Sequence, residues 1–498
     1  MVVVPSAPTA DEVRESIRRA AGKTARFVVL VGDADPEAYF DDQIASRSLP
    51  VHWAEAKATA AFAPEWHIAA DNWYADLDDD TSPDVAIGRL TADTPRELAQ
   101  IIEKTIAYER SSDFGTWRRR LNFVAGVGGF GLLTDTMLES AARYYLTERI
   151  PSACDVSMTY ASWRSPYCPD PRRFREITLQ RLSEGSLFWV YLGHGFHVEL
   201  DRLNFGGEEY PILSAPDVGR IHSAAGSPIA IFLACYTGAL DAREDCLAEE
   251  MLRTPGAPVA VLAASRVTMP YGLSVWGLEM ADAVFQSRAA TLGEAVLRAK
   301  QRMLAAPDAT SGGRGMLDTL AMVLSPTGSK LAGEREDHVL LFNLFGDPLL
   351  RLRHPKPVTM EVESKTAAGA AIEVRGTSPL AGQARVELVL RRDRLGFTPV
   401  LRAQCPQPED WDELQAAYER TSNSCLAAAE LEVAPGPFSA RLRVPEDASG
   451  PCHVRVFISG ASEFAQGAAD VSIGPTGDVP PPTAPRVAEK PAAAGARR

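Results

Sequence analysis

Two residues in this sequence have the right type and setting for nucleophilic chemistry. His194 sits in YLGHG (191–195) with glycine on both sides, and Cys235 closes FLACYTG (232–238), 41 residues later. A thiolate attacks carbonyl carbon, and a neighbouring imidazole takes up or returns the proton. Flanking glycines let a substrate backbone approach and leave amide N–H groups exposed. The amides of Gly195 and Cys235 are then natural donors to a developing oxyanion. Each residue also has a plainer reading: a cysteine ending a buried strand is commonly core, and a histidine between glycines is commonly a turn residue. Their shared position at strand ends joins them into one candidate.

Several elements must position that pair. DEVRESIRRAAG (11–22) has helical periodicity and ends at glycine. FVVLVGD (27–33) is a continuous apolar run of the kind buried on both faces of a parallel sheet. Strand-like runs recur at 84–90, 121–129, 186–195, 227–238 and 257–265. Helical stretches are predicted at 94–110, 134–148, 172–183, 245–253, 274–287, 291–306 and 315–325, the first capped by Thr94 with Pro95 in its first turn. This alternation predicts an α/β domain with a doubly wound, mainly parallel sheet. Active sites in such sheets form beyond the carboxyl ends of the strands, where His194 and Cys235 both fall.

After HVLLFNLFGDPLLRLRHP (338–355) the pattern changes to short alternating runs separated by turn residues. Residues 356–474 therefore read as an all-β sandwich of immunoglobulin-like class with a helical or looped insert at 407–430. Residues 475–498 are Pro/Ala-rich and read as a disordered tail. The predicted division is an N-terminal segment with helix (1–25), the α/β domain (26–355), the sandwich and the tail.

A net charge of −14 argues against a nucleic-acid surface and against binding to anionic membranes. No apolar run reaches the roughly 18 residues that mark a membrane-crossing helix. Met1-Val2-Val3-Val4-Pro5 lacks the basic start of an export signal. Seven scattered cysteines show no disulfide framework, although Cys405–Cys425 or Cys425–Cys452 bridges stay open. GVGGFG (126–131) lacks the Lys-Ser/Thr of a phosphate loop.

The ordered segments VVLVGDADP (28–36), DNWYADLDDDTSPDVAIGRL (71–90), IAYER (106–110), GVGG (126–129), YLGHG, FLACYTG, CLAEEML (246–252), PVAVLAASR (258–266) and NLFGDPLLRLR (343–353) together resemble the gingipain family of clan CD cysteine peptidases. The resemblance implies a caspase-like α/β/α sandwich followed by an immunoglobulin-like module. It implies hydrolysis of protein or peptide substrates through a thioester, with Cys235 as nucleophile and His194 as general acid/base, and no cofactor in the chemistry. Arginine-specific members carry an aspartate at the start of the helix after the Gly-Gly turn. Asp135 falls there, implying cleavage after Arg over Lys; as a plain sequence feature it is equally a helix N-terminal residue.

The sequence departs from the family in places. An acidic residue is expected before the Gly-Gly turn, and Val127 stands there. Asp71 matches a family aspartate and is the candidate third partner for His194, or else a loop or strand-end residue or a calcium ligand. Family members often have another strand and helix before LVGD, where only about 25 residues precede here, so the sheet is one strand short or the start is displaced. Relatives are largely exported, yet the sequence as it stands reads as cytoplasmic unless an upstream signal is missing. Asp76, Asp78, Asp80 and Asp84 are spaced like a calcium loop, with Thr81 in place of the usual turn glycine; a solvated acidic turn is the alternative. Arg118-Arg119-Arg120 reads as a solvated basic loop or a self-processing site. The competing function is a catalytically inactive scaffold that kept the caspase-like fold.

Overall fold

The computed structural model describes residues 9–22, 24–34, 48–128, 144–223, 225–306, 312–328 and 330–474. Its centre is a sheet of strands β1 (Phe27–Val31), β2 (Ala86–Leu90), β3 (Arg120–Ala125), β4 (Asp155–Tyr160), β5 (Phe188–Leu192), β6 (Ile229–Leu233), β7 (Ala260–Ala264) and β8 (Phe342–Phe345). Among the described residues their order across the sheet is β1-β2-β8-β7-β6-β5-β3-β4. All neighbours run parallel except β7 and β8, which pair antiparallel. This is the mainly parallel α/β sheet expected.

The apolar runs explain why the sheet is buried. Every residue of β6 (IAIFL) and β7 (AVLAA) is buried, because helices cover both faces. Ile229, Ile231, Leu233 and Leu262 enter one core with Trp276 and Phe342. Trp189, Tyr191, Ala230 and Phe232 enter the other with Phe174 and Leu247. The period of two along each strand sorts the side chains. FVVLV does not fit the doubly buried pattern: β1 is the sheet edge, with Val29 and Val31 exposed.

Local signals place the helices. Helix Ala10–Ala21 starts at a Thr9/Glu12 capping box and stops at Gly22, which takes φ 48°. Helix Pro95–Arg110 has the same box from Thr94 and Glu97 with Pro95 in its first turn. The predicted 134–148 helix falls largely outside the described residues. The run at 338–355 is split: helix Leu331–Leu341 carries its first residues, and β8 follows.

Residues 356–474 form a separate β-sheet region of two sheets around a shared core that includes Val374, Val386, Leu442, Val454 and Val456. The insert is a helix, Trp411–Ser422, followed at once by strand Cys425–Val433. That helix packs backward: Trp411 and Leu414 join the α/β core, and the Tyr418 hydroxyl lies 3.0 Å from that of Thr159. A buried ionic chain also ties the regions together. Arg119 pairs with Glu387 at 2.8 Å, Glu387 with Arg455 at 2.6 Å, and Arg455 with Asp155 at 2.9 Å.

The arginine triplet is therefore not a solvated loop. Arg118 and Arg119 are each 3% exposed, and Arg118 lies over the Trp117 ring. All seven cysteines are free thiols, so neither disulfide left open by the sequence is formed. No helix among the described residues is long and apolar enough to cross a membrane.

Candidate active site

β5 and β6 are parallel neighbours, with Leu192 opposite Leu233. His194 and Cys235 each lie two residues past those ends, so the sheet delivers both to one edge. The Gly193 amide donates to Leu233 O at 3.3 Å. Gly195 touches the cysteine main chain: a Cβ there would lie 2.7 Å from Cys235 O and 2.8 Å from Thr237 Cγ2. Only glycine lets the two loops meet. Both His194 and Cys235 are half-buried.

A sharp turn presents the cysteine. Thr237 N–H donates to Cys235 O at 2.7 Å. Tyr236 takes φ 57°, a left-handed conformation that costs a non-glycine residue about 1–3 kcal/mol. Its amide donates to Arg266 O and its hydroxyl to Glu65. The Cys235 sulfur accepts the Thr268 amide at 3.3 Å and lies 3.4 Å from the Thr268 hydroxyl.

Thr268 belongs to the loop after β7, and that loop is braced from below. Met269 N–H donates to His338 Nε2 at 3.0 Å, so His338 Nδ1 carries the proton and donates to Glu334 O at 2.7 Å. Burial pushes the His338 imidazole down, which keeps it neutral in this role. Thr268 and His338 went unread in the sequence. The only available signal was that β7 follows β6 and ends at the same edge.

His194 Nε2 lies 3.1 Å from Gly128 O. A carbonyl only accepts, so Nε2 carries the proton and Nδ1 is the ring atom for proton exchange. Gly128 takes φ 75°. The partner lost with an acid at 127 is thus met in part by main chain from the same turn. Val127 contributes its amide, which donates to Asp201 Oδ2 at 3.2 Å.

Asp71 is not at this site. Its two oxygens take Arg89 Nε at 2.8 Å and a terminal guanidinium nitrogen at 2.6 Å, and its amide donates to Asn343. Arg89 lies on β2, four places across the sheet from β5, or about 19 Å at the usual ~4.8 Å strand spacing. Arg89 and Asp71 are 1% and 2% exposed. The expected role toward His194 is replaced by a buried structural ion pair.

The acidic run is a capped turn. Asp76 accepts the amides of Asp79, Asp80 and Thr81, and Arg14 pairs with Asp76 and Asp79. Thr81 takes φ 75°, the conformation for which glycine was missed. Carboxylate oxygens of Asp76, Asp78 and Asp84 come within 4.8 Å of one another, a donor set that suits a hard cation. Asp80 does not join them and accepts the Ser82 amide. Asp84, then Asp80, push the Asp78 carboxyl up. Asp135 lies outside the described residues. His197 and His222 are exposed, and Cys246 is buried core.

A cavity of about 570 Å³ adjoins the junction, lined by Glu65, Phe196, His197, Tyr236, Asp241 and Arg266 among others. Phe196, His197 and Tyr236 in its wall come from the residues that follow His194 and Cys235.

The family model described as Peptidase family C25 matches residues 5–353. Among solved structures, the Arg-specific cysteine proteinase gingipain R is similar at 16% identity and TM-score 0.49, covering 95% of this chain and 90% of that one. A complex of Porphyromonas gingivalis RgpB pro- and mature domains gives 16%, 0.47, 95% and 92%. A structure described only as a protease gives 13%, 0.48, 93% and 88%. No curated protein matches the sequence.

Proposed function

The chain belongs to peptidase family C25, and from that premise we propose that it is a cysteine endopeptidase working through Cys235 and His194. The observation that carries this reading is the delivery of both residues to one edge by adjacent parallel strands, with Gly195 against Cys235 O. The Cys235 thiolate attacks the scissile carbonyl carbon. The amides of Gly195 and Cys235 are the proposed donors to the oxyanion, each worth ~100–1000-fold in rate by general precedent. The imidazolium of His194 gives its Nδ1 proton to the departing amine as the C–N bond breaks. Water then attacks the thioester, His194 takes its proton, and the C–S bond breaks to free the acid and Cys235.

Asp135 extends the proposal to specificity. A carboxylate in the substrate pocket would hold a guanidinium through paired hydrogen bonds, so cleavage after Arg, then Lys, is expected. A peptide library varied at P1 tests this, and equal turnover of acidic and basic P1 residues would sink it. The inactive-scaffold alternative is separated by an arginine chloromethyl ketone: labelling lost in Cys235→Ala supports the peptidase, and absence of labelling supports the scaffold.

We also propose structural calcium at Asp76, Asp78 and Asp84. Calcium should raise the melting temperature of the wild type and not of Asp78→Asn/Asp84→Asn. An equal rise in both would reject the site.

A further inference from the structure

The hairpin after His194 returns a carboxylate to it. Gly195 pairs with Leu200, and Phe196 N–H donates to Glu199 O at 2.8 Å. This fold-back sets Asp201 beside the turn that holds the imidazole. Asp201 Oδ2 accepts the Val127 amide at 3.2 Å, and Oδ1 accepts the Arg202 amide at 2.9 Å. The Asp201 amide donates to the Tyr191 hydroxyl at 3.4 Å, and that hydroxyl donates to His194 O at 2.8 Å. Room for this arrangement comes from Gly126: a Cβ there would lie 2.7 Å from the Tyr191 oxygen and 3.0 Å from Asp201 Oδ2. Asp201 is thus tied to both main-chain segments that frame the ring: its carboxylate to 126–128, and its own amide, through Tyr191, to 194.

We propose that Asp201 is a positioning residue for His194, supplying the negative charge that steadies the imidazolium during catalysis. This rests on His194 being the general acid/base. Burial pushes the Asp201 carboxyl above the usual range, and the Arg202 and Val127 amides and the charge on His194 pull it back. Among the described residues, Tyr191, Arg202 and Cys235 also stand near the pair. Tyr191 stays neutral, because burial and then the Asp201 charge hold its hydroxyl well above its usual range. The Arg202 guanidinium is drawn to Glu199 at 2.6 Å. Cys235 is the reaction partner itself.

The test uses the full chain with a peptide substrate that the wild type cleaves and Cys235→Ala does not; activity surviving in Cys235→Ala would refute the dyad independently of Asp201. Asp201→Asn should lower kcat roughly 10–100-fold with KM little changed. The alkaline limb of its kcat/KM profile should move about half to one unit to lower pH, since the lost anion no longer favours imidazolium. Its melting temperature near neutrality should be unchanged or raised, because the raised carboxyl costs stability once ionised. Asp201→Glu should restore the limb. An unmoved limb, whether or not kcat and melting temperature fall, overturns the proposal.

Discussion

The main chains of Gly195 and Cys235 are in contact, and the spacing leaves no room for a side chain between them. The loop carrying the candidate base therefore rests on the loop carrying the candidate nucleophile. The register of β5 on β6 sets their approach.

This contact makes Gly195→Ala informative. The new methyl would meet Cys235 O at 2.7 Å and Ala234 Cβ at 2.9 Å, so the loops must separate. Displacements of about 1 Å cost on the order of 100-fold in rate. Steady-state assays should show that loss, with the circular dichroism spectrum kept and the melting temperature lowered by overpacking of about 1–3 kcal/mol.

Thr268 should matter through the sulfur. Thr268→Val keeps the amide contact at 3.3 Å and removes the hydroxyl at 3.4 Å. One hydrogen bond of about 0.5–1.5 kcal/mol corresponds to roughly 2–10-fold. Single-turnover acylation and iodoacetamide alkylation of Cys235 should slow together by that factor. A drop in peptide turnover with unchanged alkylation would place Thr268 on the substrate instead.

Asp71 predicts stability rather than chemistry. Asp71→Ala leaves the Arg89 guanidinium buried without its carboxylate, a change that typically costs about 3–5 kcal/mol. Urea denaturation should show it. The fraction that remains folded, counted by active-site titration, should keep wild-type kcat.

Lys300 gives the fold a pH dependence. It is 3% exposed, donates to Asn72 Oδ1 at 3.2 Å, and burial pushes its ammonium down to about 7. An unfolded lysine titrates near about 10.4. The folded state thus binds fewer protons between those values, and this residue's contribution to stability rises with pH from about 7 toward 10. Lys300→Met should flatten that slope in denaturation curves taken at pH 7, 8 and 9.

Cys235 and His194, the candidate dyad, and their places past the ends of strands were legible in the sequence. Largely apolar runs marked β2, β3, β5, β6 and β7, Gly22 marked the end of the first helix and Thr94 with Pro95 the start of another, and glycines 193 and 195 marked a close approach. Local patterning can do this because period, cap and turn preferences act over a few residues. Tertiary structure alone decided which groups meet. Asp71 and Arg89 are 18 residues apart and meet because Asp71 follows strand His67–Ala70 while Arg89 lies on β2; Cys235 and Thr268 are 33 apart and join because β7 lies next to β6. Val127 and Asp201 are 74 apart, brought together by β3 beside β5 and the hairpin at 195–200. Strand order and the burial of Arg118 and Arg119 arise from packing among distant segments. A charged residue reads alike in sequence whether water or a buried carboxylate receives it, and only the folded neighbours distinguish the two.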